Sequence, residues 1–320
     1  VRALHEDRVV LDATLGMDDH VIQVYGANTE VGKTVITAGL CQAAERQGLQ
    51  VSYIKPVQTG DASDATFVSD HVPSCKTKTL FNYTDPVSPH LAADRDGVLT
   101  ADVDVLSSVV SEIKQVLSEK CEERRSGSGM LSPTARVTKA GTLTLVETAG
   151  GVLSPAPSGS LQADVYRPMR LPVLLVGDGR LGGIGATLSS LESLRTRGYT
   201  VLGIALLAQE EDLGNAEAVG RHSGGVPVFE LGALPPPQEP LGGWYTSQGE
   251  NFSLALNSLM TLRTAVAHDL SGFKERALKT IWWPFTQHSG IQEGDVMVVD
   301  SAYGDYFNTV GTCSAASKGE

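Results

Sequence analysis

The sequence predicts an α/β fold built on a doubly wound, mostly parallel sheet. Apolar runs of strand length alternate with stretches of helical period along most of the 320 residues. The first two such runs are joined by a helical pattern within about 35 residues, the size of a βαβ unit. A Gly-containing turn falls where the first strand hands over to that helix.

Residues 1–20 are polar and mixed and read as an N-terminal extension. The run 21–25 (VIQVY) is a short buried strand. After the turn a helical pattern runs from Lys33 to about Gln47, with Gly48 placed as the glycine that ends it. Residues 51–55 (VSYIK) form a second strand, stopped by Pro56. Thr100 is placed to cap a helix whose apolar stripe is Leu106, Val109, Val110, Ile113, Val116 and Leu117, three and four apart. Residues 121–140 are Ser/Gly-rich and aperiodic, a flexible surface insert. Further strands are expected at 143–147, 173–177, 201–206 and 226–231, with a helix over 184–195. The Pro-rich stretch 235–240 (PPPQEP) leaves the sheet as an extended connection. The domain therefore spans 21–250, followed by a linker helix over 251–280. At 281–288 (IWWPFTQH) the character changes, and with a strand at 296–300 the segment 281–320 begins a second domain.

Composition bounds the partners. Hydrophobic residues make up 41%, enough for a real core. With 25 Lys and Arg against 37 Asp and Glu the net charge is −12, which repels nucleic acid and anionic membrane, so neither is expected as a partner. No apolar run reaches the roughly 20 residues that span a bilayer. Cys41, Cys75, Cys121 and Cys313 are scattered with no CxxC pair, which excludes a zinc ribbon and fits a reducing compartment. The chain opens on Val1, so a natural N-terminus with any transit peptide is expected to precede it.

The turn at 26–34 (GANTEVGKT) carries the chemistry. Between a strand and a helix, Gly-x5-Gly-Lys-Thr is a phosphate-binding loop, which makes the fold P-loop NTPase-like. Its amides meet phosphate oxygens at the positive end of the helix. Gly32 allows close approach, Lys33 supplies a point charge to the β- and γ-phosphates, and the Thr34 hydroxyl can ligate Mg²⁺. Thr29, Glu30 and Val31 complete the nucleotide-binding set. Five residues, rather than the usual four, lie between Gly26 and Gly32, with Ala27 where the first glycine usually falls.

Several ordered motifs resemble the dethiobiotin synthetase family over about residues 21–235: the loop with its extra residue, 55–60 (KPVQTG), Asp64, 88–90 (SPH), 146–151 (VETAGG) and 181–184 (LGGI). The resemblance implies ATP-dependent ring closure in biotin biosynthesis. An amine of 7,8-diaminopelargonate takes up CO₂, supplied as bicarbonate, to give a carbamate. The carbamate attacks the γ-phosphate of ATP, and the second amine closes the ring and expels phosphate. Every intermediate is anionic, which calls for concentrated positive charge. Lys55, at a strand's carboxyl end, would hold the carbamate and γ-phosphate together, with Lys33 and Thr29 as its catalytic companions. Thr29 and Thr59 would donate hydrogen bonds to the amines or carbamate, and Gly150 would approach the substrate. Thr34, Asp64 and Glu147 would hold Mg²⁺. Gly182, Gly183 and Ile184 would receive the substrate carboxylate across a homodimer interface. The family's bacterial members often read adenine with an Asn after the strand matching 201–206. Here Gln209, or backbone near Leu231 to Leu234, would serve, with Leu234 and Pro235 as the nucleotide contacts.

The segment 281–288, with 300–307 (DSAYGDYF), is similar to the opening of diaminopelargonate aminotransferases, and 154–159 (SPAPSG) and 166–168 (YRP) fit the same fusion. The order resembles the bifunctional enzyme of plants and related eukaryotes. That implies mitochondrial placement, with a cytoplasmic one otherwise. Pyridoxal phosphate would belong only to the aminotransferase half, of which this chain holds the start, so no aminotransferase activity is expected of it. Competing readings fit less well. A ParA- or nitrogenase-iron-protein-like dimeric ATPase switch carries a signature lysine where this chain has Asn28. A cobyrinate-type amidotransferase needs a glutaminase domain that 281–320 does not supply.

Overall fold

The structure is a computed structural model that describes residues 18–126, 141–269, 298–303 and 306–310. The expected extension before residue 18, the insert from 127 to 140 and the aromatic run 281–288 lie outside the described residues. The chain forms two units, divided between Met260 and Thr261.

In the first unit seven strands form one sheet: β1 (Asp19–Gly26), β2 (Gln50–Thr59), β3 (Lys76–Tyr83), β4 (Thr142–Gly151), β5 (Val173–Val176), β6 (Val201–Leu207) and β7 (Val228–Leu231). The order is β3-β2-β4-β1-β5-β6-β7, and every neighbouring pair is parallel. Parallel pairing forces each strand to return through a crossover, so all seven point their carboxyl ends at one edge, where ligands bind in such sheets. The helices are α1 (Lys33–Arg46), α2 (Asp64–His71), α3 (Pro89–Asp96), α4 (Asp102–Ser126), α5 (Gln162–Val165), α6 (Gly183–Thr196), α7 (Asn215–His222), α8 (Leu241–Ser247) and α9 (Gly249–Asp269). One face of the sheet is covered by α4 to α7, through Val109, Ile113, Leu191, Leu194 and Val219 packed with Tyr25 and Ile204. In the second unit β8 (Val298–Tyr303) and β9 (Tyr306–Val310) pair antiparallel.

The fold class matches the expectation, and several element bounds do not. β2 runs through Pro56 to Thr59. Its pairing with β4 ends at Ile54, and the register with β3 steps from Lys55 to Val57, so the proline sits where one neighbour has already left. β3 escaped the sequence reading because it is an edge strand, mostly half-buried, with Lys76 and Lys78 breaking any apolar run. Thr100 does not cap α4: its buried hydroxyl pairs with the Tyr83 phenol at 2.7 Å, and Asp102 and Asp104 occupy the first turn instead. The stripe on α4 gains Val105 and leaves Val116 half-buried. The predicted insert starts late, because residues 121–126 continue α4.

The Pro-rich connection gives way to α8 after Pro240, which takes the N-cap position. The helix expected as a linker begins as part of the domain. Phe252, Ala255, Leu256 and Leu259 of α9 are buried, and the Phe252 ring fills the space where a side chain at Gly39 of α1 would stand. Trp244 and Tyr245 of α8 join Phe252 in an edge-to-face and tilted aromatic group. The Tyr245 hydroxyl donates to the Val35 carbonyl at 3.0 Å, tying this group to the helix that follows the phosphate loop.

Candidate active site

β1 ends at Gly26 and α1 begins at Lys33, so the loop between them sits at the carboxyl edge of the sheet. Its start is fixed by the Ala27 amide donating to the Val176 carbonyl of β5 at 2.7 Å. The Lys33 head folds back over the strand end, with Nζ 3.5 Å from the Asn28 carbonyl. A Cβ at Gly26 would stand 2.9 Å from that Nζ and 2.7 Å from the Asn28 oxygen, so only glycine fits there. Gly32 has φ 86°, in the left-handed region, and Leu207 occupies the space a side chain would need. Glu30 holds φ 56°, a conformation that costs a non-glycine residue about 1 kcal/mol or more. Lys33 is buried, and burial lowers its pKa to about 8; Glu147 and Asp64 oppose that shift and Lys55 adds to it.

Three further elements bring charge to this loop. β2 and β4 are in register up to Ile54 opposite Val146, so the next residues, Lys55 and Glu147, stand side by side. Lys55 Nζ lies 3.0 Å from Glu147 Oε1 and 2.6 Å from Asp64 Oδ2, the first residue of α2. Both Lys55 and Glu147 are buried. Burial would lower the lysine's pKa, but Glu147 and Asp64 outweigh it and hold it above its ordinary value, so Lys55 is a cation at neutral pH. The Thr34 hydroxyl donates to the same Glu147 Oε1 at 2.9 Å. The other carboxylate oxygen, Oε2, is buried with no hydrogen-bond partner. A fully buried carboxylate with an unspent oxygen, beside a hydroxyl and a second carboxylate, is a donor set suited to a hard divalent cation.

A cavity of about 290 Å³ collects Thr29, Lys33, Thr34, Lys55, Thr59, Asp64, Glu147 and Gly150. A larger one of about 700 Å³ is lined by Val31, Gln209, Leu234 and Pro235, and the two share Glu30 and Gly32. The phosphate loop thus stands between the compartment that holds Lys33, Lys55, Asp64 and Glu147 and a larger one walled both by leucines and prolines and by Glu30, Asp178, Arg180, Glu210 and Glu211. Gly182, Gly183 and Ile184 line neither cavity; they open α6, with Gly182 at φ 85° and Ile184 half-buried against the core.

Residues that sequence reasoning passed over hold this arrangement in place. Gln58 Oε1 accepts the Asp64 amide at 3.2 Å, fixing the start of α2. The Tyr53 phenol lies beside the cluster, its pKa raised by burial and then by Glu147 and Asp64. Asp178 and Arg180 tie the β5–α6 loop to Thr29. Gln58 stood inside a quoted motif and could have been found there; the Asp178–Arg180 pair carried no local signal.

A family described as an AAA domain matches residues 20–240. The chain is 38% identical to the bifunctional dethiobiotin synthetase/adenosylmethionine-8-amino-7-oxononanoate aminotransferase of Emericella nidulans, over 92% of this chain and 37% of that protein. It is 32% identical to a mitochondrial bifunctional dethiobiotin synthetase/7,8-diamino-pelargonic acid aminotransferase of Oryza sativa subsp. japonica, over 89% and 39% respectively. The chain therefore spans well under half the length of these relatives. Against the ATP-dependent dethiobiotin synthetase BioD of Neorickettsia sennetsu it is 33% identical over 60% of this chain and 77% of that protein. Likeness to solved structures is weaker: a MinD protein from Pyrococcus horikoshii complexed with Mg-ADP aligns at 15% identity and a TM-score of 0.42, over 78% of this chain and 97% of that one.

Proposed function

We propose, because this chain belongs to the dethiobiotin synthetase family, that it is an ATP-dependent ligase that closes the cyclic urea of dethiobiotin from 7,8-diaminopelargonate and CO₂. The observation that carries this reading is the Lys55 ammonium, buried between Asp64 and Glu147 and one shared carboxylate oxygen away from Thr34 of the phosphate loop. A dimeric ATPase switch carries its second lysine within the loop, where this chain has Asn28; here the second cation comes from a neighbouring strand instead. A reaction in which a carbamate must meet a γ-phosphate has a use for such a cation, because two anions have to be brought together.

In this account Lys33 and the loop amides bind the triphosphate. Lys55 holds the carbamate oxygen against the γ-phosphorus, and the Thr29 and Thr59 hydroxyls orient the diamine in the compartment that holds Lys55. The carbamate oxygen forms its bond to phosphorus as the bond to ADP breaks. The second amine then attacks the carbamoyl carbon, and the carbon–oxygen bond breaks to release phosphate. Thr34, Asp64 and Glu147 would hold Mg²⁺, which supplies charge neutralisation to the phosphate oxygens. The nucleoside end would take the larger cavity, whose lining includes Leu234, Pro235 and Gln209, with Gln209 as the residue to meet the base. The start of α6, at Gly182, Gly183 and Ile184, would take the substrate carboxylate from a second copy of the chain.

Residues 281–320 belong in this reading to the beginning of a fused aminotransferase half. Mitochondrial placement follows the names of the plant relatives. The test is phosphate release with the three substrates supplied separately and together. The proposal expects release from ATP only with diaminopelargonate and bicarbonate both present, with dethiobiotin detected by mass spectrometry. Hydrolysis that ignores both substrates would favour a dimeric ATPase switch and overturn it.

A further inference from the structure

The loop after β5 holds a charged pair that lines the larger cavity and to which the ring-closing reaction assigns no step. Arg180 grips Asp178 with two nitrogens, Nε to Oδ1 at 2.9 Å and Nη2 to Oδ2 at 2.8 Å, and its own amide donates to Oδ1 at 3.0 Å. Asp178 is buried and fixed from behind: its amide lies 3.0 Å from Thr187 Oγ1. The buried Asn215 amide donates to the Asp178 carbonyl at 3.2 Å and to the Arg180 carbonyl at 2.9 Å. Gly183 packs so closely on the Asp178 carbonyl that a side chain there would overlap it. From this anchored base Arg180 Nη2 reaches one further group, the Thr29 carbonyl, at 3.3 Å.

That carbonyl belongs to the peptide preceding Glu30, one of two non-glycine residues in the left-handed region among the described residues. A trans peptide is planar, with its C=O and N–H on opposite sides. Fixing the Thr29 oxygen on Arg180 therefore turns the Glu30 N–H to the other side of the loop. Without that contact the Thr29 N–H and hydroxyl stay on Asn28 Oδ1, but the carbonyl of the Thr29–Glu30 peptide loses the anchor that holds Glu30 in a conformation that costs it energy. We propose that Arg180, anchored on Asp178, is a positioning residue that presets the Thr29–Glu30 peptide of the phosphate loop to receive a nucleoside triphosphate. Neutralising the buried Asp178 carboxylate accounts for the ion pair, but not for the third contact, to the Thr29 carbonyl, which a stabilising pair does not need. Arginine is suited to the task, because its planar fork spans a carboxylate and a carbonyl together, which a lysine ammonium on a flexible stem does not.

The inference rests on reading residues 26–34 as a triphosphate loop, and the experiment separates the two. Binding of ATP with Mg²⁺ is measured by calorimetry for the whole chain and for Arg180→Ala, Arg180→Lys and Asp178→Asn, together with thermal unfolding and steady-state kinetics. The latch predicts affinity weakened ~10-fold in Arg180→Ala, as expected when a preorganised loop must be ordered on binding. It predicts little recovery of affinity in Arg180→Lys, even where the lysine, by neutralising the buried Asp178, restores the unfolding temperature. It also predicts a loss of affinity in the same direction in Asp178→Asn, and a KM for ATP that rises while kcat at saturation holds. ATP affinity in Arg180→Ala within twofold of the parent overturns the latch, as does full recovery with lysine. Failure of the parent chain to bind ATP at all overturns the loop reading and the latch with it.

Discussion

Lys55→Met removes the one cation between Asp64 and Glu147 while keeping a side chain of similar length and bulk. Its consequences follow from the burial of its partners. Asp64 is 29% exposed and can recover water, but Glu147 has no exposure and already carries one unpartnered oxygen. Removing one member of a buried ion pair leaves the other charge uncompensated and costs about 3–5 kcal/mol. For a domain of this size, with a urea dependence of about 2–3 kcal/mol per molar, the unfolding midpoint should fall by about 1–2 M. Turnover should fall ~10²-fold or more, the loss typical of removing one positioned group that stabilises developing charge. Mg²⁺ adds a separate reading: if Glu147 lies in a cation site, millimolar Mg²⁺ should restore more stability to the variant than to the parent chain, by mass action on the folded state. The assays are urea unfolding followed by far-UV circular dichroism, with and without Mg²⁺, and phosphate release under full substrate. A variant that unfolds at the parent midpoint and turns over normally would refute the buried charge cluster.

Two further outcomes follow from the same geometry. Burial holds Lys33 at a pKa of about 8 in the free chain, and a bound triphosphate favours its charged form; binding ATP above pH 8 should therefore take up a proton, and affinity should fall as pH rises through 8. Calorimetry at pH 8.5 in two buffers of different ionisation enthalpy measures the uptake, and a value of zero contradicts the assignment. Gly39→Ala would ordinarily strengthen α1 by up to about 1 kcal/mol. Here the new methyl meets the Phe252 ring, and overpacking should cost about 1–3 kcal/mol, part of it recovered in the double variant Gly39→Ala/Phe252→Leu. A stabilised single variant in urea would show that α9 does not dock on α1 as described.

What the sequence made legible was local. The strand at 19–26, the loop, α1 and the Gly48 that ends it are written in adjacent residues, and Gly48 does take φ 81° with its amide on the Glu45 carbonyl. Lys55 and Glu147, 92 residues apart, stand in two of the motifs that carry the family resemblance, and both fall at strand ends, which in a parallel sheet finish at one edge. Their contact depends on register, which the sequence does not display. The proline rule misled at Pro56 because its force depends on how many neighbours a strand has at that residue. Arg180 and Thr29, 151 residues apart, meet through a side chain and a carbonyl, a link with neither period nor composition to announce it.

The central claim is that Lys33 and Lys55 bring a carbamate and a triphosphate together so that a carbamate oxygen, rather than water, takes the phosphoryl group. Oxygen-18 tracks that transfer directly. With diaminopelargonate, ATP and freshly dissolved ¹⁸O-labelled bicarbonate, the released phosphate should carry one heavy oxygen from the carbamate, alongside labelled dethiobiotin. Phosphate whose new oxygen comes only from the solvent would contradict the account.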